Sequence, residues 1–583
     1  MRDALIVLKF GGSVLASEAS LSLAVHEVDR WRRSGRGVLA VVSALAGETD
    51  ALLARAAADG ADAYATAALA ALGEARAAAL LVLALQRAGL PARSLAPAAL
   101  GLRAEGHALD ALPVALDEAP LRRALAAGEV AVVPGFTGVD HDGRAVLLGR
   151  GGSDSTAVFL AARLGGRCRL IKDVDGLYAS DPAPDGPLPQ RFAAATWDDA
   201  RATDGSIVQH RALDLARAHG QVVQLARLNG SRPTRLGAPA SRIGRPDRPR
   251  RLRVALLGLG HVGGGVLAHL RALPADFELV AACVRDPLRP RELPEGARLC
   301  VDPLEAATCG ADVVVEALGG AEPARAAIAA ALRRGAHVVT ANKAVLAAHG
   351  AELEGLARAA GVRLLWSAAA GGAMPLLPAL RRLARRGGVR RLDALLNGTT
   401  NFVLDEVARG ARLGQALDRA QRAGLAERDP SRDLSGRDAA DKLVLAAHAV
   451  TGRWLAPGDV ACEPLTEAAL ARAAAGETVR QVATLELVGG RLAACVRPRV
   501  LPPEHPLARV HGAGNAALVA GPRRVLRLAG TGAGRWPASQ AVLADLLTLG
   551  RAAAGRRDGT PGRARPECTE PALAAPALPC RSG

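Results

Sequence analysis

A glycine-rich stretch near the middle of the chain constrains its fold most strongly. An apolar run at 251–257 ends at Gly258, Gly260 and Gly263, and the residues from Val266 onward are typical of a helix. A strand, a tight glycine turn and a helix in this order predict a dinucleotide-binding unit. Such a unit usually opens a domain, so we expect a complete domain in the roughly 250 residues before it.

Length and composition narrow the class of protein. A chain of 583 residues exceeds one hydrophobic core, which predicts two to four domains. We find no charge-free apolar run of membrane-spanning length and no signal-peptide pattern, so we expect a cytoplasmic protein with no membrane partner. The eight cysteines lie far apart without a Cys-x-x-Cys pair, which favours reduced thiols over disulfides or a zinc site.

The basic residues are almost all arginine. The net charge is +17, but aromatic residues make up only 2% and the arginines are scattered, so we expect no nucleic-acid partner. Only four lysines occur, Lys9, Lys172, Lys343 and Lys442. Arginine cannot replace lysine where proton transfer or a compact charge on phosphate is needed. We therefore expect function at these four positions, with chance retention as the alternative.

Several strands of the first half end in polar loops. A buried strand at 5–8 leads into Lys9, Gly11 and Gly12, where backbone N–H groups and an ammonium suit a polyphosphate. The strand at 37–42 ends at Ser43. The carboxyl ends of strands in an open α/β sheet are where ligands bind.

Two further segments add charged residues to this edge. Gly73 and Glu74 are expected to begin a long helix, where the carboxylate could instead compensate the helix N-terminus. A second glycine loop opens the helix that ends near Leu164, and it carries Arg150 and Asp154. Another strand leads to Asp173-Val-Asp175-Gly-Leu-Tyr178.

Together these segments resemble the aspartate kinases of the amino acid kinase family, over residues 1–235. The resemblance implies an α/β/α sandwich, binding of L-aspartate, and ATP with Mg²⁺ as the phosphoryl donor. It implies catalytic roles for Lys9 and Asp154. It implies substrate binding by Ser43, Glu74, Arg150 and Ser153, and nucleotide binding by Gly11, Gly12, Asp173 and Tyr178.

This chain departs from the family at positions that bear on activity. Ala183 and Ile207 stand where the family has basic residues near the nucleotide, so a degenerate kinase half that serves as a scaffold stays open as an alternative. The aperiodic Pro/Arg/Gly segment 236–250 is predicted to be a linker. It leaves no room for the small regulatory domains that usually follow, and we therefore expect little feedback by threonine or lysine.

The second half contains residues that indicate the type of cofactor and a candidate reactive lysine. The strand at 277–284 ends in Arg285 and Asp286; an acidic residue there selects NAD and an arginine suits NADP, so we favour NADP with NAD as the alternative. Asp438 and Lys442 are one helical turn apart and share a face. A surface ion pair is the alternative, but the apolar residues after Lys442 favour a partly buried functional lysine.

Residues 251–550 resemble the homoserine dehydrogenases. The resemblance implies a Rossmann domain at 251–375, an α/β catalytic and dimerisation domain at 376–550 whose last segment returns to the Rossmann domain, and a homo-oligomer, either dimer or tetramer. We expect residues 551–583 to be disordered. Catalytic roles are implied for Lys343, Asp438 and Lys442, with substrate binding by Glu427 and Asp433. Cofactor binding is implied for Gly258, Gly260, Val262, Gly263, Arg285, Asn342, Lys343 and Gly532, and a monovalent cation such as Na⁺ for Ser367, Ala370, Gly372 and Met374.

The two resemblances together imply a bifunctional enzyme of the aspartate pathway. One half would phosphorylate L-aspartate to 4-phospho-L-aspartate, and the other would reduce L-aspartate 4-semialdehyde to L-homoserine with NADPH. Two alternatives are kept: a dehydrogenase with a scaffold-like kinase half, and a basic nucleic-acid-binding protein.

Overall fold

The computed structural model describes residues 5–15, 18–180, 189–228, 230, 232–245, 251–370, 374, 376–385, 388–426, 429–488, 491–522, 525–531 and 535–555. The contacts divide the chain into two compact units, unit 1 (Met1–Arg248) and unit 2 (Pro249–Gly583). The six described cysteines are free thiols.

Unit 1 is an α/β fold around one large sheet. Its strands are β1 (Leu5–Phe10), β2 (Gly37–Val42), β3 (Ala92–Ser94), β4 (Arg103–His107), β5 (Asp110–Ala115), β6 (Val130–Pro134), β7 (Thr137–Val139), β8 (Ala145–Leu147), β9 (Arg167–Lys172), β10 (Arg191–Ala195), β11 (Val223–Arg227), β12 (Thr234–Leu236) and β13 (Arg242–Gly244). Its helices are α1 (Glu18–Arg33), α2 (Glu48–Ala58), α3 (Ala63–Arg87), α4 (Ala119–Ala126), α5 (Gly152–Leu164), α6 (Trp197–Arg201) and α7 (His210–Ala218), with a 3₁₀ turn at Ala98–Leu100.

The large sheet of unit 1 has the order β13-β10-β12-β11-β9-β1-β2-β6-β3, and β5-β4-β7-β8 form a second sheet. Strands β11 through β3 of this order are all parallel. Val7 and Val41 face one core, whereas Ile6, Leu8 and Val42 face the other. Both faces of these apolar strands are therefore covered, as expected for a parallel sheet, and the predicted α/β/α sandwich is confirmed.

Helix α3 corrects one expectation. It begins at Ala63, where Asp62 caps it, so Glu74 lies in the middle of the helix and does not compensate an N-terminus. The helix carries a glycine at position 73 because a Cβ there would lie only 2.9 Å from the Cβ of Ala44. By length and apolar composition α3 is the one described helix that could cross a membrane. It buries Leu81 and other apolar residues in the core of unit 1.

The stretch expected to be a linker is partly ordered. Strands β12 and β13 both pair with β10, and β12 also pairs with β11. The hydroxyl of Thr234 accepts a hydrogen bond from the Leu177 backbone N–H at 2.9 Å. These pairings make residues 234–244 part of the large sheet of unit 1. Strands this short leave no periodic pattern in the sequence, which is why the segment was predicted to be a linker.

Unit 2 contains two six-stranded sheets. Its strands are β14 (Leu252–Leu257), β15 (Phe277–Cys283), β16 (Arg298–Cys300), β17 (Val313–Glu316), β18 (His337–Thr340), β19 (Leu364–Leu365), β20 (Arg391–Leu395), β21 (Ala461–Cys462), β22 (Val479–Val488), β23 (Arg491–Val500), β24 (Gly514–Ala520) and β25 (Val525–Thr531). Its helices are α8 (His261–Ala272), α9 (Pro303–Ala307), α10 (Ala324–Arg333), α11 (Lys343–Ala359), α12 (Leu376–Ala384), α13 (Gly398–Ala408), α14 (Leu413–Arg422), α15 (Ser431–Leu434), α16 (Arg437–Thr451), α17 (Glu467–Ala474) and α18 (Arg535–Gly555), with 3₁₀ turns at Ser367–Ala369 and Pro457–Asp459.

The first sheet of unit 2 is parallel, in the order β16-β15-β14-β17-β18-β19, which is the predicted Rossmann arrangement. The second, β21-β23-β22-β20-β24-β25, is mainly antiparallel. Helix α18 packs against α8 and so returns to the first sheet, where Ser539 lies 3.2 Å from the His269 ring. It extends to Gly555, five residues into the predicted disordered tail; residues 556–583 lie outside the described residues.

Candidate active sites

Two lysines of unit 1 share one buried aspartate. Lys9 and Lys172 stand at the carboxyl ends of the neighbouring parallel strands β1 and β9. Asp154 lies in the first turn of α5, which follows Gly151 in the left-handed conformation. The Lys9 Nζ is 2.8 Å from one carboxylate oxygen of Asp154, and the Lys172 Nζ is 2.8 Å from the other. The fold thus concentrates two positive charges at the predicted edge of the sheet.

Burial and charge shift the pKa values in this cluster. Burial would raise the pKa of Asp154, but the ammonium groups of Lys172 and Lys9 lower it to about 2. Burial lowers the pKa of Lys9 despite the attraction of Asp154. Because Asp154 stays ionised at neutral pH, it holds both lysine side chains in place before a substrate arrives.

Glu74 closes the same cavity from α3. One of its carboxylate oxygens accepts a hydrogen bond from the Ala44 N–H at 3.2 Å, and the other is buried without a partner. Burial raises the pKa of Glu74 to about 7. The cavity measures about 280 Å³ and is lined by Lys9, Ser43, Thr49, Glu74, Phe136, Gly151, Gly152, Ser153, Asp154, Lys172, Ser206, Ile207 and Gln209.

The structure separates the residues predicted for unit 1 into two groups. Lys9, Ser43, Glu74, Ser153 and Asp154 line this cavity. The turn after β1 lies beside it, since a Cβ on Gly11 would lie 3.7 Å from the Lys9 Nζ and one on Gly12 would lie 3.1 Å from the Ala44 carbonyl oxygen.

Besides Gly11 and Gly12, three further predicted residues do not line the cavity. Arg150 and Asp173 are exposed. Tyr178 is buried, and its hydroxyl donates to Asp175 at 2.6 Å. Ala183 lies outside the described residues, whereas Ile207 lines the cavity and brings no charge to it.

The sequence indicated no role for four other residues of the lining, Thr49, Phe136, Ser206 and Gln209. Thr49 belongs to the polar segment that follows β2 and lies in the first turn of α2, so its position after a strand end was a usable signal. Phe136 has φ of 66°, which is uncommon for a residue with a side chain and costs backbone strain. No sequence pattern indicates that strain.

The glycine turn of unit 2 has the geometry of a dinucleotide cradle. Gly258 has φ of 93°, and a Cβ there would lie 2.6 Å from the Ala317 carbonyl oxygen. A Cβ on Gly263 would lie 1.8 Å from the Gly258 carbonyl oxygen, so α8 can approach the strand only without it. Nothing lies within 4 Å of a Cβ on Gly260, and Val262 is half-buried in the first turn of α8. The open position at the helix N-terminus fits a pyrophosphate.

The ends of the neighbouring strands carry the other predicted cofactor residues. Arg285 is exposed just after β15. Asn342 caps α11, and its amide nitrogen donates to the Gly320 carbonyl at 2.6 Å and to Glu316 at 3.3 Å. Glu316, which sequence reasoning left without a role, is fully buried at the end of β17, and burial raises its pKa. It orients Asn342 directly before Lys343.

Two lysines of unit 2 also share one aspartate. The Lys343 Nζ lies 3.0 Å from one carboxylate oxygen of Asp438, and the Lys442 Nζ lies 2.7 Å from the other. Lys442 also donates to the Leu396 carbonyl at 2.6 Å. Burial would raise the pKa of Asp438, but Lys442 and Lys343 hold it well below its usual range. Asp438 in turn raises the pKa of Lys343. The Lys442 side chain is 11% exposed, so the partly buried lysine that we predicted is present.

A neighbouring amide connects this cluster to a second carboxylate. The Asn397 amide nitrogen donates to Asp433 at 2.6 Å and to Asp438 at 2.9 Å. Burial raises the pKa of Asp433, and the Asn397 hydrogen bond opposes that shift. Asn397 stands in the Leu-Asn-Gly-Thr-Thr segment, but the sequence alone indicated no role for its side chain.

The predicted sodium site stays a prediction, as do the assignments of Glu427 and Gly532. The Ser367 N–H and hydroxyl both donate to Asp545, at 2.9 and 2.8 Å, and the Met374 carbonyl accepts from the Leu376 N–H. Ala370 is buried. Gly372, Glu427 and Gly532 lie outside the described residues. Within the described part of the chain, the one group of possible metal ligands is Asp140-His141-Asp142, in a turn of unit 1.

Family comparisons match the same division of the chain. Residues 4–226 match the amino acid kinase family. Residues 258–367 match the NAD binding domain of homoserine dehydrogenase, and residues 375–547 match homoserine dehydrogenase.

Curated relatives match unit 2. Homoserine dehydrogenase of Synechocystis sp. is 35% identical over 316 residues, which are 51% of this chain and 73% of that protein. The enzyme of Corynebacterium glutamicum is 37% identical over 325 residues, 51% of this chain and 72% of that protein. The crystal structure of the Thiobacillus denitrificans enzyme is 34% identical, covers 53% of this chain and 76% of that chain, and has a TM-score of 0.49. This chain therefore belongs to the homoserine dehydrogenase family and carries an amino acid kinase family domain ahead of it.

Proposed function

We propose that unit 2 interconverts L-aspartate 4-semialdehyde and L-homoserine with NADP(H). The observation that carries the proposal is the pair of ammonium groups, Lys343 and Lys442, on Asp438. When bound, the cofactor supplies or accepts the hydride. Addition of hydride to an aldehyde creates an alkoxide, and the Lys442 ammonium can stabilise and protonate its oxygen. Asp438 keeps Lys442 oriented, and Lys343 adds charge toward the nicotinamide side.

The remaining predicted substrate contacts fit an amino acid. Glu427 would bind the substrate amine, and Asp433 and Asp438 would complete the pocket. NADP is favoured because Arg285 is exposed after β15, while the Asp286 carboxylate accepts the Leu288 N–H at 3.0 Å. NAD is the alternative, since a relative from Pseudomonas canavaninivorans, 33% identical over 284 residues, is an NAD(+)-dependent homoserine dehydrogenase. Initial rates with each oxidised cofactor decide between them.

We infer that unit 1 phosphorylates the β-carboxylate of L-aspartate, with Mg²⁺ and ATP. Lys9 and Lys172 bring two positive charges to one small cavity, which suits a transferring phosphoryl group. The unpaired, buried oxygen of Glu74 can accept the substrate ammonium. The substrate carboxylate is itself the nucleophile, so the protein needs mainly to position it and neutralise charge.

A scaffold-like kinase half is the second candidate for unit 1. Two observations favour it: Ile207 lines the cavity where the family has a basic residue, and Arg150 is exposed outside the lining. In that case unit 1 would support only folding or assembly of a homo-oligomer.

Two assays on the full chain test these proposals. Aspartyl hydroxamate formation with Mg-ATP reports the kinase, and homoserine-dependent reduction of NADP⁺ reports the dehydrogenase. Both activities are expected, and they would place the chain at two steps of amino-acid biosynthesis from aspartate, the first shared by threonine, methionine and lysine and the second leading to threonine and methionine; we propose a cytoplasmic location. Dehydrogenase without hydroxamate would support the scaffold, and retention on DNA at physiological salt would support the nucleic-acid alternative.

A further inference from the structure

Asn397 holds its side-chain amide in one fixed orientation. It caps α13, and its amide oxygen accepts the Thr400 backbone N–H at 2.9 Å. Among the described residues, the amide nitrogen donates to two carboxylates, Asp433 and Asp438. Because a flip would set the oxygen against two carboxylates, the assignment of nitrogen and oxygen is unambiguous. The residue is 4% exposed, so water cannot readily take over these bonds.

This amide joins two carboxylates that come from different helices. Asp433 belongs to the short helix α15 and Asp438 to α16. Two carboxylates held this close repel each other, and a donor shared between them offsets that repulsion. The two N–H groups of Asn397 therefore set the separation of Asp433 and Asp438.

The same segment orients the reactive lysine. The Leu396 carbonyl, one residue before Asn397, accepts a hydrogen bond from the Lys442 ammonium, and Asp438 accepts another. An ammonium has three N–H donors, so one is left to point at a substrate oxygen. Any rotation of Asp438 away from Asn397 would change the direction of that third donor.

We propose that Asn397 is a positioning residue of the dehydrogenase reaction, which bridges Asp433 and Asp438 and thereby aims the Lys442 ammonium at the substrate oxygen. The inference rests on the proposed homoserine dehydrogenase activity. It deepens that activity by assigning the orientation of the lysine to a neutral side chain that acts through the two carboxylates.

The charged groups around Asn397 predict a change in pH dependence. Asp433 is influenced by Asp438, Lys442 and Lys343, and it keeps its ionised form partly through the Asn397 hydrogen bond. Asp441 and Arg432, which pair with each other, face the same cluster. Loss of the amide donors therefore raises the pKa of Asp433, and the acid limb of the kcat/KM profile moves to higher pH.

Two substitutions separate positioning from helix capping. Asn397→Ser keeps an oxygen that can cap α13 but removes both amide donors, and Asn397→Asp keeps the cap and adds a third carboxylate. The control is Asn401→Ser on the same helix, because Asn401 is 1% exposed and, within the described part of the chain, its amide donates to the Gly514 carbonyl at 2.8 Å and to no carboxylate.

Homoserine oxidation, its pH profile and NADPH binding are measured for all three variants. We expect Asn397→Ser to lower kcat about tenfold to a hundredfold, with cofactor binding kept and the acid limb moved to higher pH. Asn397→Asp is expected to lose more activity than Asn397→Ser. Asn401→Ser is expected to keep the wild-type kcat and pH profile. If Asn397→Ser retains the wild-type profile, or changes only as much as the control, the residue merely caps a helix. A wild-type enzyme inactive on homoserine would instead overturn the proposed function together with this inference.

Discussion

The two candidate sites are built alike and charged differently. Each has an aspartate in the first turn of a helix that follows a left-handed glycine, and each aspartate pairs with two lysines. The chain's four lysines thus divide equally between the sites. In unit 1 the lysines end two adjacent strands; in unit 2 they lie on helices.

The surroundings of each aspartate suit a different reaction. Asp154 is 2% exposed, and burial raises the pKa of the nearby Glu74 to about 7, so below that pH the Glu74 carboxyl group does not offset the ammonium groups of Lys9 and Lys172. That balance suits an anionic phosphoryl group. In unit 2 a second carboxylate, Asp433, balances the two ammonium groups of Lys343 and Lys442, which suits transfer of a proton alongside a hydride. One neighbouring carboxyl group, Glu74 in unit 1 and Asp433 in unit 2, therefore adjusts the net charge of the same lysine–aspartate motif.

The largest expected effect tests the proton role of Lys442. Lys442→Arg keeps the charge, but arginine does not release its proton, so kcat for homoserine oxidation is expected to fall about a hundredfold to ten-thousandfold. NADPH binding, followed by fluorescence titration, should be unchanged. Lys343→Arg is the matched variant and should lose less activity, because the Lys343 ammonium acts through its positive charge and arginine keeps that charge. Full activity of Lys442→Arg would remove Lys442 from the mechanism.

A smaller effect tests the paired lysines of unit 1. Lys172→Gln removes one of the two ammonium groups on Asp154, and hydroxamate formation is expected to fall about tenfold to a hundredfold. The dehydrogenase activity of the same preparation serves as an internal control. Arg167→Gln changes the opposite end of β9 and should leave the kinase rate unchanged. Equal rates for wild type and Lys172→Gln would make the similarity between the two clusters incidental.

The raised pKa of Glu74 predicts pH-dependent aspartate binding. Above about pH 7 the carboxylate is ionised and can bind the substrate ammonium; below it, protonation removes the charge. The aspartate KM is therefore expected to rise as pH falls below 7, by up to about tenfold per pH unit. Glu74→Gln should show a high KM at every pH, whereas Glu118→Gln, at the start of α4 and outside the cavity lining, should follow the wild type. A flat wild-type profile would contradict this role.

The smallest expected effect concerns regulation. Only a few residues separate β13 from β14, so the chain has no room there for a regulatory domain between its two units. Threonine and lysine are accordingly expected to change the initial kinase rate little. Strong inhibition by either amino acid below millimolar concentration would require an effector site elsewhere in the chain.

Local sequence predicted the parts of each site that depend on short-range geometry. The turn at Gly258 needs a positive φ and room beside Ala317, and only glycine meets both needs. Asp438 and Lys442 share a face because α16 is regular. Buried strands ending in polar residues indicated Lys9 and the sheet edge on which it lies. These features are set within a few residues, and the sequence shows them.

What the sequence determined by itself was the order of the two folds, their glycine turns and the four lysines kept in an arginine-rich chain. Only the tertiary structure decided that these lysines meet in pairs on Asp154 and Asp438, that Glu74 enters its cavity from the middle of α3, and that Asn397 bridges two carboxylates. Apart from the Asp438–Lys442 pair, which lies within α16, each of those contacts joins segments distant along the chain. They depend on packing between strands and helices, which no local pattern of residues encodes.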